Sequence, residues 1–458
     1  MAATRIPNVR MVSSGMAHRV MTDLHEKYGP VVRIGPNELS FVTNGDAWKP
    51  IYGTRPGHGQ KAKDQDFYHL DIDGCSNIVS ANDVDHTRFR RALSHAFSDS
   101  SLRGQEPIIQ GYIDLLMQRL REISHGGTTP VNIVNWFNFT TFDIIGDLSF
   151  GEPFDCLANS DYHPWVRMIF EGVKAGAIIG AMYRVPYLKP LANLLTPKSL
   201  IESQLDHRRL TKEKTQIRMG KTNERPDFFA NILKQKDPSK AFSEGELYSN
   251  ANVLIIAGSE TTATLLSGVT YLLLKNPHTL AKLKAEVRGA FKSDAEVNLE
   301  LCNQLPYLQA CLTEGLRLYP PVAIGLPRIM DAQGDTVEGN WVPGGVIVSI
   351  SHAATYASEN NFKDAKHFIP ERHLDDPRFA SDNRNALQPF SFGPRNCIGR
   401  NLAYVEMRLM LARTIVNFDM ELAEPNVDWM DQKSYTLWDK PPLMLKLTPS
   451  DVGKLEEA

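Results

Sequence analysis

Phe390-Ser391-Phe392-Gly393-Pro394-Arg395-Asn396-Cys397-Ile398-Gly399 follows Pro389 and runs into a helical pattern from Ile398 to Asn417. Two glycines and a proline bracket one cysteine, which describes a tight turn presenting a thiol just ahead of a helix. Gly393 and Gly399 lack Cβ, so the backbone there can bend sharply and approach a flat ligand closely. Backbone N–H groups of the turn and the helix N-terminus favour a negatively charged sulfur. Arg395 adds a fixed positive charge suited to a carboxylate. Phe390 can pack on the sulfur side and keep water off. Cys-x-Gly alone would equally suit an ordinary buried thiol, so the weight rests on the whole pattern.

Outward from this turn, helical spacing dominates. Ala17–Tyr28, Val84–Ala96, Leu102–Ser124, Val131–Leu148, Tyr162–Ala175, Lys198–Met219, Asp227–Gln235 and Leu305–Tyr319 all read as helices. Val31–Ile34 and Glu38–Phe41, split by Gly35-Pro36-Asn37, read as short strands, as do pieces near Val337–Trp341 and Val346–Ile350. Gly53–Gly74 reads as a long loop. The fold class is therefore mainly α with small β-sheets. No repeat or compositional break divides the 458 residues, which predicts one domain over 1–458. Within it, 1–50 form an N-terminal helix and small β region, 84–320 the helical bulk, and 386–420 the cysteine loop and following helix.

The apolar run Val253–Leu274 is long enough to cross a bilayer as a helix of about 33 Å. Glu260, with Ser259, Thr261, Thr262 and Thr264 around it, would be costly in lipid. The run reads as a long central helix buried in a core. A net charge of −3 gives no footprint for nucleic acid, and 22% charged with 42% hydrophobic residues excludes wholesale disorder. The five cysteines contain no C-x-x-C pair, so a zinc ribbon or thioredoxin-type motif is not expected. Gly220-Lys221-Thr222 fails as a phosphate-binding loop because Thr215 stands where glycine is needed, and no G-x-S-x-G occurs.

The full pattern F-x-x-G-x-R-x-C-x-G resembles the haem-binding signature of the cytochrome P450 family, the haem-thiolate monooxygenases. That resemblance implies the family fold, with the long central helix over the haem, and Cys397 as axial ligand of the iron of haem b. Phe390, Gly393, Arg395 and Gly399 would complete the loop around it. Three further motifs lie in the family's order. Glu314-Gly315-Leu316-Arg317 is an E-x-x-R, whose i and i+3 charges share a helical face. With Arg372 in Phe368-Ile369-Pro370-Glu371-Arg372-His373, it implies a buried charge network; His373 stands where an aromatic is usual. Ala257-Gly258-Ser259-Glu260-Thr261-Thr262 matches A-G-x-D/E-T-T. There the small Ala257 and Gly258 would let the helix pass close over the haem and leave room for dioxygen. Thr261 would offer its hydroxyl and Glu260 would feed protons inward. A bend from hydroxyl back-bonding, with Glu260 merely paired, is the competing reading. Finally His86-Thr87-Arg88-Phe89-Arg90 stands for the family's W-x-x-x-R. It places His86 and Arg90 on the haem propionates, where Arg328 and Arg395 would join them.

The resemblance further implies a small lipophilic substrate, with walls from the Gly53–Asp83 loop, Tyr162–Leu195, Val253–Ala257, Val322–Leu326 and the tail Tyr435–Trp438. Ile178, Ile179, Met182, Val322, Ile324 and Leu326 are its apolar candidates, and equally ordinary core. The early segment His25 to Ile34 looks like fungal members. Those imply dioxygen as co-substrate, an NADPH–cytochrome P450 reductase as electron donor, a monomer, and a role in secondary metabolism. They also imply attachment to the cytoplasmic face of the endoplasmic reticulum membrane by an N-terminal anchor, missing from this chain, which is itself expected to be soluble. Two other readings compete with monooxygenation of a lipophile. One is a haem-thiolate isomerase or dehydratase working without dioxygen, against which Thr261 and Glu260 argue. The other is a non-enzymatic haem or ligand-binding protein.

Overall fold

The computed structural model describes residues 3–68, 72–188, 190, 194, 196–221, 227–233, 237 and 240–452. The apolar run becomes the helix Glu244–Lys275, which begins well ahead of Val253. Ser243 accepts from the Glu246 N–H while the Glu246 carboxylate accepts from the Ser243 N–H, a capping box that satisfies two orphan donors. The helix is long and apolar enough to cross a membrane, but 78% of that apolar window is buried inside the protein. It packs most heavily on Ile133–Phe150, a helix buried almost throughout, and also on Lys198–Gly220, Pro306–Leu318 and Arg400–Asn417. Gly258 makes the first of these contacts possible: a Cβ there would lie 2.5 Å from Ile145 Cδ1. Its missing side chain therefore serves helix–helix approach.

A five-stranded sheet stands beside the helices, in the order Val31–Gly35, Glu38–Phe41, Ile347–Ile350, Arg328–Ile329, Ala62–Lys63. Only the pair Glu38–Phe41 with Ile347–Ile350 is parallel. In the last antiparallel pair Lys63 lies directly opposite Arg328. The tail strands Phe418–Leu422 and Met444–Pro449 form a three-stranded sheet with Val131–Asn132.

Several expected elements shift. Val337–Trp341 is not one strand but a hairpin, Asp335–Val337 against Asn340–Val342, turned by Glu338 and Gly339 at φ 47° and 76°. Tyr162–Ala175 becomes Pro164–Tyr183, and Val131–Leu148 opens as a short strand before its helix at Ile133. Of Asp227–Gln235 the described residues are helical only over Ala230–Leu233, and 234–235 lie outside the described residues. The Gly53–Gly74 loop carries the strand Ala62–Lys63, and its residues 69–71 are likewise outside the described residues.

Candidate active site

The cysteine turn is built as a rigid bracket. Gly393–Arg395 forms one 3-10 turn, and the Cys397 N–H donates to the Phe390 carbonyl at 2.9 Å. Gly393 has φ 77°, and a Cβ would lie 2.2 Å from the Tyr52 carbonyl oxygen, so glycine is required by both conformation and space. Gly399 differs: its φ is ordinary, and a Cβ would sit 3.9 Å from Cys397 Sγ. Its value is the N–H, which donates to the sulfur. Phe390 packs on Tyr404, ring centres 5.3 Å apart. The Cys397 side chain has free surface yet is enclosed by protein, so it opens on an internal void. Burial pushes its thiol up; the Gly399 N–H, Arg90 and Arg400 pull it back toward the thiolate. Arg90 forks onto the Asn396 carbonyl and side chain, the latter at 2.6 Å, pinning the residue before the cysteine.

Around the same void stands a group of cations short of counter-ions. Arg328 is 3% exposed, and among the described residues its Nε and Nη1 have no hydrogen-bond partner; the same holds for Arg395 Nη1. Arg395 otherwise reaches Asp83 at 2.7 Å and Gln60 at 3.1 Å. Lys63 donates to the Val79 carbonyl and lies 4.3 Å from the Tyr68 ring centre. Burial, then Arg328 and Arg395, push its ammonium well below the usual lysine range. His86 is buried and held neutral, its pKa lowered to about 3 by burial and then by Arg395, Lys63 and Arg90. Like charges directly opposite across a strand pair are destabilising, and buried guanidinium nitrogens without acceptors cost more. Such a cradle demands anionic oxygens. The two carboxylates and flat ring of haem, with sulfur at one face, match this donor set. Lys63 escaped sequence reasoning because only the register of two remote strands sets it beside Arg328.

The charge network forms as expected. Glu314, Arg317 and Arg372 are all but fully buried. Glu314 accepts from Arg317 at 2.9 and 2.7 Å, from Arg372 at 3.0 Å and from the Ile369 N–H at 3.0 Å. His373 donates to it as well, at 3.0 Å, so the histidine in an aromatic's place extends the network. Burial pushes the Glu314 carboxyl up, but the two arginines and His373 outweigh it and hold the pKa at about 2. Arg317 also binds the carbonyls of Tyr356, Ala365 and His367, and Arg372 pairs with Asp382.

On the central helix the two candidate catalytic side chains part company. Thr261 lines a cavity with Ala257 and donates to the Ala257 carbonyl at 2.7 Å. Glu260 is 3% exposed and points instead to Lys440, with which it forms an ion pair; Thr264 bonds both, at 3.2 and 2.7 Å. Burial raises the Glu260 pKa, while Lys440 and Thr264 oppose that rise, and its second oxygen has no partner among the described residues. Lys440 was not foreseen, since 180 residues separate it from Glu260.

The cavity measures about 940 Å³. Of the apolar candidates, Ile179, Val322, Ile324 and Leu326 line it, whereas Ile178 and Met182 do not. Thr436 and Leu437 supply the tail wall, and the N-terminal helices add Met11 and Met21, a wall the sequence did not suggest.

Comparison with known proteins agrees with this geometry. The family model Cytochrome P450 matches residues 4–447. The chain is 45% identical to the cytochrome P450 monooxygenase lcsI of Purpureocillium lilacinum, covering 98% of this chain and 87% of that protein. It is 46% identical to the cytochrome P450 monooxygenase efuB of Hormonema carpetanum, covering 97% and 89%. It is 45% identical to a trichothecene C-15 hydroxylase of Fusarium sporotrichioides, covering 97% and 91%.

Proposed function

The chain belongs to the cytochrome P450 family, and on that premise we propose that Cys397 is the axial thiolate of haem b and that one domain over the whole chain encloses it. Membership makes the protein a haem-dependent monooxygenase that oxidises a small lipophilic compound with dioxygen, in the setting of fungal secondary metabolism. Bound there, a thiolate-ligated haem supplies the activation of dioxygen, because the sulfur pushes electron density onto the iron. Arg90, Arg328, Arg395 and Lys63, with His86, would hold the propionates, Arg90 in exchange for its bonds to Asn396. Thr261 presents its hydroxyl to the cavity. Glu260 would pass protons inward through water only on turning out of its ion pair with Lys440. Glu314, Arg317 and Arg372 act in folding and haem retention. What carries this reading is the set of buried nitrogens of Arg328 and Arg395, unpartnered among the described residues, together with the thiol of Cys397 two residues from Arg395.

Electrons come from an NADPH–cytochrome P450 reductase, and the enzyme is a monomer on the cytoplasmic face of the endoplasmic reticulum membrane. Sedimentation and fractionation of fungal cells check both. The relative named a trichothecene C-15 hydroxylase makes hydroxylation of lipophilic compounds the first case to try. The test is turnover of such compounds by haem-loaded protein, reductase and NADPH under isotopically labelled dioxygen. One labelled oxygen atom in the product is expected, and Thr261→Ala should divert electrons to peroxide. Conversion of an already oxygenated substrate without NADPH or reductase would replace this account with the isomerase reading.

A further inference from the structure

Three helices meet over the cavity through a chain of hydrogen bonds whose direction chemistry fixes. Trp165, on Pro164–Tyr183, donates its Nε1–H to Nδ1 of His207, on Lys198–Gly220. An indole can only donate, so Nδ1 must be an acceptor. Burial holds His207 neutral, and its one proton therefore sits on Nε2. That nitrogen meets Asn252 Oδ1, on Glu244–Lys275, and donates to it. The amide of Asn252 is thus locked with its oxygen toward His207 and its NH2 turned away. Asn250, two residues earlier, returns its own NH2 to the Glu246 carbonyl at 2.8 Å. Asn252 makes no such bond among the described residues. Asn252 and His207 both line the cavity, and Asn252 is only 6% exposed.

We infer that Asn252 Nδ2 is a fixed hydrogen-bond donor for the substrate, which is accordingly a lipophile carrying an acceptor oxygen (carbonyl, ether or lactone) remote from the carbon oxidised. This rests on the monooxygenase reading above. Asn252 and Thr261 are nine residues apart on one helix, about 13 Å along its axis. The acceptor oxygen and the oxidised carbon lie near opposite ends of an elongated or fused-ring molecule. A free-standing asparagine would turn to suit either a donor or an acceptor. The Trp165–His207 relay removes that choice, so the site discriminates against ligands offering only a donor.

The test uses haem-loaded protein and N-alkylimidazoles of increasing length, each ended either by a methyl ether or by the matching hydrocarbon. Imidazole binding to the iron reports affinity by its spectral shift, whatever the native substrate is. At the length that reaches Asn252, the ether should bind about tenfold tighter, the value of one well-placed hydrogen bond. Asn252→Leu should abolish that preference. Asn252→Asp offers only acceptors, and should reverse it toward chains ended by a hydroxyl. His207→Leu should free the amide and let chains ended by a donor-only pyrrole N–H bind as tightly as those ended by the ether. Equal affinity of ether and hydrocarbon at every length in the unaltered protein overturns the inference. Absence of any imidazole spectral shift overturns instead the haem-thiolate reading on which it rests.

Discussion

Replacing Glu406 by glutamine should stabilise the protein, and increasingly so as the pH rises. Glu406 lies on the Arg400–Asn417 helix, is 1% exposed, and among the described residues neither carboxyl oxygen has a well-formed hydrogen bond. Thr262 of the central helix is its polar neighbour, but too weak a one to offset burial, which raises the pKa from 4.5 to about 8. A carboxyl raised in the folded state is harmless below its unfolded pKa. It then costs stability progressively until the pH passes its folded pKa. At about 1.36 kcal/mol per unit of separation, the cost is roughly 1 kcal/mol at pH 5, 3 at pH 7 and 5 at pH 9. Glu406→Gln keeps the shape and removes the ionisation. For a chain of 458 residues the pH 7 gain corresponds to about 3 °C in melting temperature, at roughly 2.1 cal/mol/K of unfolding entropy per residue. The assay is thermal unfolding of both proteins at pH 5, 7 and 9 with equal haem content. A difference between them that widens with pH is expected. Parallel pH profiles, or a variant that loses ground at high pH, would refute the reasoning and show Glu406 to be a partnered carboxylate.

Other outcomes follow from the same structure. Glu314→Ala leaves Arg317 and Arg372 buried without their shared carboxylate and should cost about 3–5 kcal/mol, read as lost thermal stability and poor haem retention. Gly393→Ala must strain a φ of 77° and strike the Tyr52 carbonyl, whereas Gly399→Ala meets nothing closer than 3.9 Å. Haem content after purification should fall sharply in the first and little in the second. Lys63→Met removes one of two facing cations. It should stabilise the haem-free protein by about 1 kcal/mol or less while speeding haem loss to an apomyoglobin acceptor, followed by absorbance.

How much of this was legible depended on sequence distance. The cysteine turn, the E-x-x-R and the small-residue stretch of the central helix are local patterns, and each falls on the expected element. The start of the central helix was also written locally, in Ser243-Glu244-Gly245-Glu246, but apolar runs mark cores and not caps, so a periodicity reading began it at Val253. The pairing of Glu260 with Lys440, and of Lys63 with Arg328, was beyond reach. Each depends on how remote segments come to lie together, the first through the tail loop and the second through strand register. The split of Glu260 from Thr261 follows from the helix itself, since adjacent residues point about 100° apart, which here turns Glu260 toward Lys440 and leaves Thr261 on the cavity.

The central claim is that Cys397 ligates haem iron within the cationic cradle. Its most direct measurement is the carbon monoxide difference spectrum of the reduced, haem-loaded protein beside Cys397→His. The unaltered protein should show the red-shifted Soret band characteristic of thiolate ligation, and the variant should bind haem in the same cradle but lose that band. Persistence of the thiolate band in the variant would contradict the account.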